Sequence, residues 1–390
     1  MDRLTMTRRQ FGMAALAVGA TFADRTPAEA AAAQSPRPAK GTPIFQVDPN
    51  WPKIPNSWVF GPVTSIRVDE RDHVWILQRP RSVAPEHKGH EAPPVLEYGA
   101  DGNFLRGWGG PGAGYDWPEN EHGFEVADGF VWIVGNNPNF GRSRPNQTFD
   151  NMLVKFSTSG KFALQIGGRN RVERVSDTTA LGEPADCCFH KGEIFVADGY
   201  GNRRLIVFDG NTGKFKRMWG AFGRPPEDQP KNVPFGAPGV FDSGEGPELF
   251  GIVHAVRVSK DGMVYVGDRD NRRVQVFTLE GKYLRQVFIN MAAGPSRTAC
   301  GITFSGDVQQ RIMYVCDFDH GVVFAYDRAT LALLGSMGVP HAIGSGSKGG
   351  RTPGELIDPH YLATDSHGNL YSSETAGGRR AQKFLFKGFA

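Results

Sequence analysis

Lys191 to Trp219 reads KGEIFVADGYGNRRLIVFDGNTGKFKRMW, and Lys260 to Val287 reads KDGMVYVGDRDNRRVQVFTLEGKYLRQV. The two are one unit written twice. Each has an apolar strand ending in aspartate (Asp198, Asp268) and a polar turn with Asn-Arg-Arg. An alternating strand ending in phenylalanine (Phe208, Phe277), a glycine turn and a last strand complete it. Weaker copies lie on either side: HVWILQRP to FLRGW, GFVWIVGN to FALQIG, RIMYVCDFDHGVVFAYD, and NLYSSETAGGRRAQKFLF. Together they make six units. Repeats of this length and strand content predict an all-β six-bladed propeller over residues 61–390, in which each sheet buries its faces against its two neighbours. The last unit stops after its third strand. Pro43 to Val47, within the 34–60 linker, is the expected source of the outer strand that closes the ring.

Composition agrees with many short strands joined by turns. Fifty glycines and 27 prolines are too many for a helical protein, while 39% hydrophobic and 11% aromatic residues suffice for a core. The net charge of +3 gives no basic surface excess, so neither nucleic acid nor a membrane surface is expected as a partner, and a monomer is expected. Thr7-Arg8-Arg9-Gln10-Phe11, an apolar stretch through Phe22 and the small residues from Ala28 to Ala33 read as a twin-arginine signal peptide over residues 1–33. A periplasmic or secreted product follows from that reading.

Four cysteines would then meet an oxidising compartment. Cys187 and Cys188 are neighbours in an alternating strand and should face opposite ways as buried small hydrophobes. Cys300 and Cys316 bracket one hairpin, as a cross-strand disulfide or as reduced neighbours. Arg204 and Arg273, the second arginine of each pair, are expected to tie adjacent blades together through a carboxylate. The Pro- and Gly-rich insertion from Arg224 to Pro247 is a candidate lid.

Aligning the innermost strands on Val253-His254-Ala255-Val256-Arg257-Val258 places Thr64, His122, Ala185, His254, Cys300 and His360 in one register. Histidine falls in units two, four and six only. In a six-membered ring those units lie about 120° apart, so three imidazoles should converge on the channel with positions left open, as catalytic zinc requires. A water-filled polar channel is the alternative, and iron or copper also suit imidazole. Strands one and two of a blade are antiparallel, so Arg79, Tyr200 and Arg269, each at the end of a second strand, should share the histidine face.

With those residues in hand, the chain resembles NHL repeats throughout and, at its site, the peptidyl-α-hydroxyglycine α-amidating lyase family. The family's three zinc-binding histidines are matched by His122-Gly123-Phe124, His254-Ala255-Val256 and His360-Tyr361-Leu362. Its tyrosine segment is matched by Asp198-Gly199-Tyr200-Gly201-Asn202-Arg203-Arg204, and its arginines by Arg79 and Arg269. The resemblance implies a zinc-dependent lyase with Tyr200 as general base. Arg79 and Arg269 would hold the carboxylate of a small-molecule or peptide substrate, which breaks to an amide and glyoxylate. Three departures qualify it. Asp358 replaces a methionine, as a possible added ligand or modulator. Tyr361 replaces an aspartate that helps hold a structural calcium, which puts calcium in doubt. Gly201 removes a disulfide. A propeller lactonase and a non-catalytic binding platform are the competing readings.

Overall fold

The computed structural model describes residues 39, 41–136, 148–170, 175–227, 245–294, 296–339 and 352–390. The leader and most of the candidate lid lie outside them. The described residues form six antiparallel four-stranded sheets. Blade one comprises β2 (Val63–Val68), β3 (Val74–Gln78), β4 (Val95–Tyr98) and β5 (Phe104–Trp108). Blade two comprises β6 (Glu121–Ala127), β7 (Phe130–Gly135), β8 (Asp150–Ser157) and β9 (Phe162–Arg169). Blade three runs through β10 (Asp186–His190), β11 (Glu193–Asp198), β12 (Arg204–Asp209) and β13 (Phe215–Trp219). Blade four follows with β14 (Val253–Val258), β15 (Met263–Asp268), β16 (Arg273–Thr278) and β17 (Tyr283–Phe288). Blade five holds β18 (Gly301–Phe304), β19 (Ile312–Asp317), β20 (Val322–Asp327) and β21 (Leu333–Met337). Blade six holds β22 (Pro359–Thr364), β23 (Leu370–Glu374), β24 (Arg380–Phe389) and, as its outer strand, β1 (Pro43–Asp48).

The ring closes as the repeat predicts. β1 pairs antiparallel with β24, from Pro43 opposite Phe389 to Asp48 opposite Lys383. The innermost strands β2, β6, β10, β14, β18 and β22 touch in that order, and β22 touches β2.

Blade three shows why its strands are apolar on both faces. Ile194, Val196, Ile206 and Phe208 pack toward blade two with Trp132 and Leu153. The alternate residues Phe195, Ala197, Leu205 and Val207 pack toward blade four with Val253, Val264 and Phe277. A side-chain period of two thus feeds two interfaces at once. Each such Val, Leu or Phe contributes about 1.5–3 kcal/mol by leaving water. Cys187 and Cys188 fall into these two separate clusters, facing opposite ways as expected. Cys300 and Cys316 are both buried free thiols, so the bridged alternative does not hold.

The aspartate and second arginine repeated in blades three and four act differently from the expectation. Asp198 and Arg204 are directly opposite in the β11–β12 hairpin, and Asp268 and Arg273 in the β15–β16 hairpin. The Arg204 Nε to Asp198 Oδ2 distance is 2.9 Å and that of Arg273 to Asp268 is 2.8 Å, within a single blade rather than between two. The guanidinium termini do reach the inter-blade connections. Arg204 donates to the carbonyls of Val175, Asp177 and Ala180, and Arg273 to those of Glu245, Pro247 and Leu249. Each arginine is fully buried, which its carboxylate and carbonyl partners make possible.

Candidate functional site

Four of the six register residues sit at an irregularity of their strand, whereas Ala185 and Cys300 immediately precede β10 and β18. Pairing with the second strand skips Thr64, His122 with Gly123, His254, and His360. An extra residue in a strand re-aims its side chain. Here three of those side chains are imidazoles, and their ligand atoms all lie within 4.8 Å of one another. The ring centroids are 5.1 Å apart for His122 and His254, 4.7 Å for His122 and His360, and 4.9 Å for His254 and His360.

Which nitrogen faces the centre is decided by the other three register positions. His122 Nδ1 lies 2.7 Å from Ala185 O, His254 Nδ1 2.7 Å from Cys300 O, and His360 Nδ1 2.6 Å from Thr64 O. A carbonyl only accepts, so each Nδ1 carries the proton and donates it. Burial pushes the His122 and His254 pKa values well below the ordinary range, aided by His360 and Arg79 around His122 and by Arg269 around His254. Burial likewise takes His360 down to about 3. All three rings are therefore neutral, with Nε2 lone pairs free of a proton. Neutral imidazoles oriented through Nδ1 to backbone carbonyls are the donor set that suits zinc.

Tyr200 follows β11, and its hydroxyl sits 3.1 Å from both His122 Nε2 and His254 Nε2. Arg269 follows β15 and donates from Nη1 to that hydroxyl at 3.0 Å, while its Nε donates to Asp270 Oδ1 at 2.7 Å. Its guanidinium also lies 5.3 Å from the centre of the Tyr200 ring. Burial raises the Tyr200 pKa, and the opposing pull of Arg269 and Arg79 is too weak to reverse that. Arg79 follows β3, and its Nε–H donates to Glu121 O at 2.7 Å, beside His122. Burial lowers its pKa, with Glu121 and Tyr200 pulling the other way.

Asp358 is not in the histidine cluster. Its backbone is left-handed at φ +50°, and its Oδ2 accepts the N–H of Gly377 at 2.8 Å, in the turn between β23 and β24. Two contributors escaped the sequence reading: Asp270 anchors Arg269, and Phe318 stands edge-on to His360 at 6.0 Å. Tyr361, read from the sequence only as a departure from the family, crosses the channel next to the histidines. Phe318 directly follows β19 as Arg269 directly follows β15, so the same alignment contained that signal. A second group among the described residues, Asp69, His73 and Glu97, has its carboxylates committed to Arg71, Trp75, His73 and Arg106. It is a structural cluster of blade one.

Fold and repeat together define the class: a six-bladed β-propeller of NHL-type repeats. No family model matches the chain. It is 27% identical to human NHL repeat-containing protein 3 over 242 residues, which cover 60% of this chain and 56% of that protein. It is 34% identical to peptidyl-glycine alpha-amidating monooxygenase A of Xenopus laevis over 116 residues, 29% of this chain and 10% of that one. The chain spans about half the length of the NHL relatives it matches. Among solved structures, a streptogramin B lyase superimposes with a TM-score of 0.50 at 13% identity, covering 88% of this chain and 98% of that one, a likeness of fold.

Proposed function

We propose that the protein is a zinc-dependent lyase that breaks the C–N bond of an α-hydroxyglycine-type carbinolamide. The products are an amide and glyoxylate. The observation that carries this reading is the triad of neutral histidines, each locked through Nδ1 to a carbonyl, with the Tyr200 hydroxyl 3.1 Å from two of the Nε2 atoms.

His122, His254 and His360 would hold the metal through Nε2. Bound there, zinc would supply Lewis acidity at the substrate hydroxyl and positive charge to offset the upward push of burial on Tyr200. Tyr200 as phenolate takes the hydroxyl proton, the electron pair left on oxygen forms the second bond of the aldehyde carbonyl, and the C–N bond breaks with its pair going to nitrogen. The proton returns from Tyr200 to the departing amide nitrogen, so the residue ends as it began. Arg269, held by Asp270, orients Tyr200 and stabilises its phenolate through a hydrogen bond and through the ring face. With Arg269 so committed, Arg79 is the better clamp for the substrate carboxylate, because only its Nε–H has a partner among the described residues. The leader sequence supports export, so the substrate would be met outside the cytoplasm.

The test is metal content of the purified protein by mass spectrometry, for wild type and a His122/His254/His360 triple alanine variant, followed by glyoxylate release from α-hydroxyglycine peptides. About one zinc per chain, lost in the variant, with glyoxylate produced only by wild type, is the expected result. No metal in either protein after zinc is added would overturn the reading and leave the NHL propeller as a binding platform.

A further inference from the structure

One residue beyond the histidine level, the inner strands carry Ser65, Gly123, Asp186, Ala255, Gly301 and Tyr361. Most are small, and the blades approach closely because of it. A Cβ added at Gly123 would stand 2.4 Å from Ala185 O, and one at Gly301 would stand 2.4 Å from His360 O. Tyr361 is the large exception. Fully buried, it reaches from blade six to blades three and four, where its hydroxyl lies 3.0 Å from Ala185 O and 2.8 Å from His254 O. Its ring stacks on the His254 imidazole at 5.5 Å and 16°.

Ala185 O therefore has two duties. It accepts the Nδ1–H of His122 and also faces the Tyr361 hydroxyl. The hydroxyl bridges the carbonyl that orients one histidine and the backbone of another. The next layer is charged: Arg67 Nη2 lies 2.8 Å and Arg257 Nη1 3.0 Å from the two oxygens of Asp186, with Glu125 at 3.7 Å from Arg67. The Arg67 guanidinium is 5.2 Å from the centre of the Tyr361 ring.

We infer that Tyr361 is a positioning residue that takes the place of a channel calcium, bridging Ala185 O and His254 O so that the histidine site is organised without that ion. Calcium gathers six to eight oxygen ligands, with carboxylates prominent among them. Here the two available carbonyls are already bridged by a phenol, and Asp186 is held by two guanidiniums. The donor set does not fit calcium. The positive charge at this depth is supplied by Arg67 and Arg257, which are part of the chain.

The inference rests on the metal-site reading only for its zinc arm. Tyr361→Phe keeps the ring against His254 and removes the hydroxyl alone. Zinc affinity by chelator competition and melting temperature are measured for wild type and Tyr361→Phe, in EGTA and in millimolar calcium. Wild type should give the same zinc affinity and melting temperature in both buffers. Tyr361→Phe should bind zinc about 10-fold more weakly, the usual cost of losing an outer partner, with no rescue by calcium. Wild-type protein that gains affinity or melting temperature from calcium overturns the inference, as does wild-type zinc affinity in Tyr361→Phe. If wild type binds no zinc at all, the lyase reading fails separately, and the melting temperatures decide. A lower value for Tyr361→Phe in both buffers, with wild type indifferent to calcium, then sustains the bridging role, and equal values remove it.

Discussion

Blades two, four and six differ from blades one, three and five at a single level of the channel. The even blades present a side chain there, the imidazoles of His122, His254 and His360. The odd blades present a backbone atom, the carbonyls of Ala185, Cys300 and Thr64, each accepting Nδ1–H from the even blade before it in the ring. A sixfold repeat has become a threefold one by dividing labour between neighbours. The difference teaches that identity matters at the even positions and backbone geometry at the odd ones.

Substitution at the two kinds of position is the sharpest way to break that comparison. His254→Ala should weaken zinc binding beyond the ~100-fold that an outer partner commands, whereas Cys300→Ala, which keeps the carbonyl, should stay within about 3-fold. Equal losses in a chelator titration would mean that the odd side chains count as much as the even ones. Tyr200, on odd blade three, is the exception that supplies a side chain to the site. Tyr200→Phe should lower kcat about 100-fold or more while zinc content is unchanged, since positioned proton transfer contributes on that scale. Unaltered turnover would return blade three to a purely backbone role.

Blade six carries His360 and borrows its outer strand from β1. Removing residues before Gly61 should lower the melting temperature by about 10 °C, as expected for several kcal/mol of lost pairing and packing. An unchanged value would show that an even blade holds its histidine without a fourth strand. The smallest effect concerns Glu183, in the connection leading to blade three. Burial, with Asp198 adding to it, raises its pKa from 4.5 to about 7. A carboxyl whose folded pKa is raised contributes stability below its unfolded pKa and loses it as pH rises through the folded one. Glu183→Gln should therefore melt about 2 °C higher than wild type at pH 8 and at the same temperature near pH 4. A difference that persists at low pH would point to packing instead of charge.

The ring, the closing strand and the three histidines were legible because each leaves a periodic trace: a repeated hairpin, an incomplete last unit, one residue type at every second register position. The partner of Arg204 was misplaced between blades, although Asp198 ends one strand and Arg204 begins the next, which makes them hairpin neighbours. What sequence could not show depends on directions across the channel. The histidine partners are backbone carbonyls, which have no letter. Asp358 turns toward Gly377 because its backbone is left-handed, and Arg269 is spent on Tyr200 and Asp270. Tyr361 could be placed one residue after His360, but not the carbonyls of two other blades that its hydroxyl reaches.

The seam between β1 and β24 has a mechanical consequence. Pro43 lies opposite Phe389, so the two outgoing ends of the chain leave from the same end of the paired strands. Tension applied to those ends would load one pair of residues at a time, from Pro43 inward to Asp48, as a zip is pulled. Heat must loosen the whole strand together. The latch that closes the ring is therefore strong against temperature and weak against force along one direction.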